Sequence, residues 1–540
     1  MAGIADFLDS LIGGFDLICY ALAIGSLFWG IFLLRAWEMR DYNALLLEKT
    51  IALIYKGSFW LTGAQLFKIV LKVWLMAAIL EKSPFPEFAQ TTQFIGGFIR
   101  AALTFVLAMY VYQSLKNHPF SKAHWQTAGL VAVPMIISGA WLVHGAGRFE
   151  NQATLMTLTV IHQIAAAAWI GGVFQLLNVW QLVKSNQLST DCWSRLLKQF
   201  SLLGAVSVAG ILISGLPIAL QYIDSWNGLI GTGYGNLLLV KIVLLGIALY
   251  FANLNRLAAR AGDSHALTFY VPHYIEAETF VLITLLFTAA SLASQPPAID
   301  IPTLTASWQE VLNTFAPQIP QTTSPTHTDL IAGEAGRTAI IGQVPSIAAT
   351  EWSNYNHNIA GIFLTTMSFF AMLSYLRYPI LQFCKFWSLG FVLLGIFLFF
   401  RSDAETWPLG PISFWDSTFN NGEVLQHRIA TLLVFTLGVI ELSSRFKPDY
   451  SQKLPFLFPI LAAFGGLMLL THSHVGFQPK SAFLIQVGHT TMGVFALILA
   501  CGRWLELKLD GKKRALAGFI SVAALFQIGI ILMSYREPLY

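Results

Sequence analysis

The sequence predicts an all-α, polytopic membrane protein, and three observations carry that prediction. Of the 540 residues, 56% are hydrophobic and 11% charged, whereas soluble domains average roughly 25% charged. Apolar stretches of about 20 residues, the length that crosses the hydrocarbon core, can be marked off fourteen times. Lysine and arginine also alternate between loops: of the 32, 21 fall on one side, six on the other and five inside the stretches. By the positive-inside rule the crowded side is cytoplasmic, which places both termini on the outer, periplasmic face.

In chain order, the first ten residues, MAGIADFLDS, carry two acids and no base. They lack the charged n-region of a secretory signal, so the first apolar stretch, 11–35, is expected to stay as a helix. Seven more follow at 57–80, 93–114, 124–145, 153–182, 198–222, 236–255 and 275–293. In the second, Lys68 and Lys72 share a face with Gln65, which turns that face toward the bundle interior or a water cavity. In the fifth, His162 precedes four alanines and Trp169-Ile170-Gly171-Gly172. Small residues let helices approach closely, so this imidazole faces helices rather than lipid, where an unpartnered ring would be costly. His144 ends the fourth stretch in WLVHGAGRF and reaches the same layer, making the two histidines a candidate imidazole pair. Lys241, near the outer end of the seventh, is expected either to snorkel to the interface or to pair with an acid such as Asp16 or Asp224.

The apolar pattern then breaks. SQPPAIDIP and FAPQIPQTTSPT cannot continue a helix or strand, so 294–353 reads as an external linker with one short helix at 307–315. It divides an eight-helix module, 1–293, from a six-helix module, 354–540, whose stretches are 357–376, 385–400, 424–443, 454–472, 481–502 and 515–535. The outer loop 401–422 contains Trp407 and Trp415, which read as an interfacial belt or a lid. Arg428, beside His427, has Glu423 and Asp416 close in sequence as charge partners.

Several function classes drop out. The four cysteines, Cys19, Cys192, Cys384 and Cys501, are scattered without a C-x-x-C, so neither a disulfide framework nor a thiolate clamp is signalled. No P-loop pattern occurs, which argues against a nucleotide-driven motor. The net charge of +4 is a matter of membrane sidedness and not a nucleic-acid footprint.

The chemistry points to the outer face, where eight of the twelve histidines fall, His357 among them. In the hairpin 468–492, His472 and His474 end one apolar stretch and His489 lies just inside the next. Met468 stands four residues before His472, and Met492 three after His489, so thioethers and imidazoles share helix faces. That set suits copper, since thioethers select the monovalent ion and imidazole holds either oxidation state. The competing reading is a hydrogen-bonded interfacial cluster with methionine as core filler. A third is haem b, with His427 and His489 as axial ligands on different helices.

A resemblance adds to this reading. The run HQIAAAAWIGG, then FSLLGAVSVAGILISGLPIAL (Phe200 to Leu220), GTGYGNLLLVKIVLL (Gly231 to Leu245), LNRLAAR (Leu254 to Arg260) and LASQPPA (Leu292 to Ala298) is similar to the copper-resistance protein D family over about 142–298. Residues 1–141 supply the four further helices of that family's eight-helix arrangement. The family's glycine-histidine-alanine element stands here in altered form as His144-Gly145-Ala146, and Lys241 matches the family's lysine. The resemblance implies a multi-pass protein of the cytoplasmic (inner) membrane concerned with copper uptake or tolerance. The expected function is capture of the copper ion at the histidine-rich outer face and passage across or storage in the membrane, without catalysis; the alternatives are a haem b electron-transfer protein and an accessory subunit that delivers copper to a membrane oxidase or monooxygenase. Expected partners are the lipid bilayer and a periplasmic copper-binding protein, or a copper-dependent membrane enzyme such as an oxidase or monooxygenase.

Overall fold

The computed structural model describes residues 2–34, 44–80, 82–116, 121–334, 346–376, 378–446, 453–471 and 479–538. Fourteen of its helices are long and apolar enough to cross a membrane, the number marked off in the sequence. They are α1 (Phe7–Leu33), α2 (Ala44–Ala77), α3 (Thr92–Leu115), α4 (Lys122–Leu142), α5 (Gln152–Lys184), α6 (Thr190–Tyr222), α7 (Gly233–Ala261), α8 (Ala266–Asp300), α9 (Ile347–Ser374), α10 (Pro379–Arg401), α11 (Gly422–Phe446), α12 (Leu454–Thr471), α13 (Lys480–Lys508) and α14 (Gly511–Met533). Many run beyond the apolar stretch because polar caps start them outside it. Ser189 accepts the N–H of Cys192 and Ser346 that of Ala349, each satisfying a donor that the first turn leaves open.

The chain gathers into two compact units. One holds Asp9–Asp224 with Val243–Ser294, and the other Met1–Leu8, Ser225–Ile242 and Gln295–Tyr540. In the first unit, buried Ile24, Ile54, Leu107, Met135 and Ala167 bring α1 to α5 into one core. The closest approach is between α1 and α5. A Cβ added at Gly25 would stand 2.1 Å from the Ala167 carbonyl oxygen, and one at Gly171 2.2 Å from that of Ala21. Ala21-x-x-x-Gly25 and Ala167-x-x-x-Gly171 thus form a reciprocal small-residue contact that brings the two backbones together. Polar groups in this unit pair off as well. Gln65 donates to the Asp16 carboxylate, Arg100 stands 3.7 Å from it, and the Arg100 guanidinium lies 5.1 Å from the centre of the Tyr20 ring. Asp16 is therefore occupied within its own unit, and among the described residues Lys241 meets no acid.

The second unit has its own core, in which Leu364, Phe391, Leu437, Phe458, Met492 and Leu525 join α9 to α14. The first turns of α7 belong here: Asn236 donates to the Thr490 hydroxyl of α13 at 2.8 Å. A buried charge cluster ties α9, α11 and α13. Glu441, 0% exposed, accepts from Arg445 at 2.7 Å and from Arg503 at 2.8 Å through one oxygen. Arg503 also bonds Glu506 at 2.7 Å, and Glu506 accepts from the Tyr375 hydroxyl at 2.7 Å.

The short helix expected in the linker is present as Trp308–Thr314, closed by a capping box in which Ser307 and Glu310 bond reciprocally. Glu310 also meets Lys480, at the start of α13, at 2.6 Å. The Lys480 hydrogen bond and the Ser307 N–H pull the Glu310 carboxyl from its ordinary 4.5 down to about 2. A depressed carboxyl contributes stability that is complete above its ordinary value and disappears as the pH falls toward the depressed one. Docking of this helix on α13 should therefore hold above pH 4.5 and weaken between 4.5 and 2, read as faster amide exchange over 307–314. Lys480→Gln should move the Glu310 midpoint upward in a carboxyl titration. For the α1–α5 crossing, Gly171→Ala should cost about 1–3 kcal/mol through overpacking, seen as a lower unfolding temperature in detergent.

Candidate functional site

The strongest convergence of ligand-type side chains lies in the second unit, where one face of α9 receives the segment that follows α14. Asn358 donates to the carbonyls of Leu532 and Tyr535 at 3.1 and 3.0 Å, and the Glu537 N–H donates to Asn354 at 2.6 Å. These bonds press Tyr535 and Glu537 against α9. The Ser353 hydroxyl donates to Glu537 at 2.7 Å, and so does the Tyr535 hydroxyl at 2.9 Å.

Two imidazoles meet at this place. His357 of α9 and His489 of α13 have ring centres 6.0 Å apart with planes at 84°. Tyr535 packs beside both, 4.1 Å from His357 and 6.4 Å from His489. Each histidine Nδ1 lies at hydrogen-bond distance from a carbonyl oxygen one turn earlier, Ser353 at 2.8 Å and Ile485 at 2.9 Å. A carbonyl only accepts, so Nδ1 carries the proton in both rings and Nε2 is the lone-pair nitrogen. Metal-binding histidines are commonly oriented through such a bond on the second nitrogen. His489 is 8% exposed, which keeps its ring out of bulk solvent.

Met492 is buried three residues after His489 and belongs to the core of the unit, and Met468 is buried in α12, which packs along α13. His472 and His474 lie outside the described residues. Among the described residues no three His, Cys, Asp or Glu side chains gather closely enough to hold a metal ion. A described metal site would therefore have to combine the imidazole pair with softer or aromatic neighbours.

His427 has a different environment from the one a paired haem ligand with His489 requires. Its Nδ1 meets Asp403 at 2.8 Å. Burial raises the Asp403 carboxyl, but the charge and hydrogen bond of His427, with Ser402 and Arg428, outweigh that and hold it below the usual carboxylate range. Arg428 does not take Glu423 or Asp416 as its hydrogen-bonding partner. It donates to the Phe414 carbonyl at 2.7 Å, to Ser417 at 3.0 Å and to Thr418, with its guanidinium 4.0 Å from the Phe414 ring centre. Arg428 thus stitches the loop 401–422 to α11 through carbonyls and hydroxyls that sequence proximity of charge does not reveal.

In the first unit both predicted histidines lean on α6. His162 meets the Ser214 hydroxyl at 3.1 Å, and a Cβ at Gly215 would stand 3.0 Å from its ring. His144 sets its ring against Tyr222 at 6.2 Å, with Arg148 on the same tyrosine. Ser214 and Tyr222 are eight residues apart, roughly 12 Å of helical rise, so the two imidazoles attach at different levels of the bundle. The sequence had singled out His489 and Met492. It placed His357 only in the outer layer and gave Tyr535, Glu537 and Asp403 no role. A usable signal was the serine four residues before His357, together with the polar Ser534-Tyr535-Arg536-Glu537 run that ends the last apolar stretch.

In comparison with known proteins, residues 194–292 match the family model described as Copper resistance protein D. The chain is 30% identical over 205 residues to the copper transport protein CutJ of Bacillus subtilis (strain 168), a match covering 37% of this chain and 36% of that protein. It is 38% identical over 96 residues to the inner membrane protein YebZ of Escherichia coli (strain K12), covering 18% and 32% respectively. The matches thus span about a third of the length of these curated relatives. No solved structure matches the chain. Residues 194–292, from α6 into α8, are therefore the part of the chain that is similar to the Copper resistance protein D family.

Proposed function

We propose that this protein carries copper across the cytoplasmic membrane, receiving it at the face where His357 and His489 converge. The observation that carries this reading is that pair, two imidazoles that meet from different helices, each oriented through Nδ1 by a main-chain carbonyl one turn earlier. Imidazole with nearby thioether suits cuprous ion, and Met492 lies one turn further along α13. Copper here is cargo, so a two-imidazole station with soft neighbours is better suited than a closed cage, because an ion held by few ligands can leave again. The similarity to a copper transport protein supports the choice of ion, and the similarity to an inner membrane protein supports the compartment.

The excess of lysine and arginine at the opposite loops supports a periplasmic position for the imidazole pair. An ion received on that side moves inward, so this position supports uptake over export. His162, bonded to Ser214 of the part similar to the Copper resistance protein D family, is a second station on the way. Delivery comes from a periplasmic copper-binding protein, and onward supply to a copper-dependent membrane enzyme fits the same direction. No chemical transformation is assigned.

Haem b is a poorer fit. His427 is engaged by Asp403. For the pair that does meet, the Tyr535 ring lies beside the line joining the imidazoles, nearer His357, where a porphyrin seated between them would run into it.

Metal analysis with a visible spectrum on the detergent-purified chain tests the proposal. Copper should be retained at neutral pH without a Soret band. His489→Ala and His357→Ala should each weaken cuprous binding by more than the roughly 10–100-fold that loss of a supporting hydrogen bond costs a metal ligand. Unchanged affinity in both variants would remove this pair as the site, and iron with a Soret band would establish the haem reading instead. Glu537→Gln, which keeps the size of the group that Ser353 and Tyr535 bond, should weaken copper binding by less than either histidine variant.

A further inference from the structure

Glu278 of α8 is a carboxyl buried in the first unit, 2% exposed, on a helix that crosses the membrane. It stands seven residues after Val271, where the regular α-helix begins, and Asn255 of α7 stands six residues before Ala261, where that helix ends. At 1.5 Å per residue both lie about 10 Å in from the turn joining the two helices. At that common depth Asn255 donates to Glu278 Oε2 at 3.0 Å. The other oxygen of each group, Glu278 Oε1 and Asn255 Oδ1, is buried and has no hydrogen bond. From α5, the indole of Trp169 approaches Glu278 without completing a hydrogen bond to Oε1.

Among the described residues, no cationic side chain pairs with this carboxyl. Asn255 and Trp169 are polar and uncharged. On α8 itself, Tyr274 lies one turn back with its ring 6.5 Å from that of Phe251, and His273 and Glu276 bond each other at 2.9 Å. Elsewhere in this unit Arg100 is engaged with Asp16, 3.7 Å away. A carboxylate in such a place, out of water and without a counter-charge, is strongly disfavoured. Two occupants would relieve it: a proton on the carboxyl, or a cation close enough to offset its charge across the low-dielectric interior.

We propose that Glu278, held by Asn255, is a proton-binding site whose proton exchanges against a monovalent cation moving through the first unit, an inference that rests on the copper-transport reading for the identity of that cation. The exchange balances. As one cuprous ion enters the neighbourhood, one proton leaves the carboxyl for the opposite movement, and the carboxylate is neutralised by the ion. When the ion departs, the carboxyl takes up a proton again. Since an ionised, unaccompanied Glu278 is the disfavoured state, neither movement runs far without the other.

Two measurements on the full chain test this. In infrared pH-difference spectra of the purified protein, the wild type should show a protonated-carboxyl band at neutral pH that Glu278→Gln lacks; absence of that band in the wild type overturns the site. In liposomes containing a pH dye, with chelator-buffered cuprous ion outside, copper entry should be accompanied by proton exit near one for one. Glu278→Gln, which keeps the size of the group that Asn255 bonds, should lose the proton movement and slow copper entry at least tenfold. Copper entry without proton movement in the wild type overturns the exchange, as does an unchanged proton-to-copper ratio in Glu278→Gln. Dependence on a sodium gradient in place of a pH gradient would overturn the choice of proton. A band that is present in the wild type and lost in the variant, with no copper entry in either, would sustain the protonation site and refute the copper reading.

Discussion

The absence of water from a hydrocarbon interior constrains this structure more than any single contact. Each polar group that enters must be satisfied by a neighbour, and the architecture can be followed through those pairings. Asp16 takes Gln65 and Arg100, and Glu441 takes Arg445 and Arg503. His357 and His489 turn one nitrogen back onto their own helices. Since lipid tails are as apolar as leucine, the helices gain little from simple hydrophobic sorting. They are specified instead by these polar matches and by contacts such as Gly25 on Gly171, where the backbones themselves meet.

The two units use that constraint differently. In the first, histidines and acids are spread over several levels, with His162 on Ser214, His144 on Tyr222 and Glu278 on Asn255. In the second, the ligand-type side chains collect at one end, because three asparagines and serines of α9 capture the segment after α14 and bring Tyr535 and Glu537 beside His357. The two units thus hold their polar side chains differently, spread along one and gathered at one place in the other.

Much of the fold was legible in the sequence. The apolar stretches are long and well separated, the four alanines and two glycines of α5 announce a close helix contact, and Ser307 with Glu310 announces a capped helix in the linker. What sequence could not provide was the choice of partner. Asp16 lay in reach of Lys241 on charge alone, yet Arg100 takes it. Arg428 has two acids nearby in sequence, yet it bonds the carbonyls and hydroxyls of the loop 401–422. His489 was recognisable by its spacing to Met492, but the imidazole it meets, that of His357, is more than a hundred residues away. Pairings of this kind follow from tertiary packing, which a local pattern does not encode.

The cluster around Glu441 sets a condition on how this protein can vary. One carboxylate oxygen serves two guanidiniums, and Glu506 and Tyr375 complete the set, so two positive and two negative charges cancel around a Glu441 that is itself out of reach of solvent. Replacing any one of the four charged members leaves a largely buried charge uncompensated, a far greater penalty than exchanging the whole set for apolar side chains of similar bulk. These positions on α11 and α13 are therefore inherited as a block. Natural drift or design would have to change them together, and the lineage of this chain should show correlated substitution at 441, 445, 503 and 506, with few single steps between.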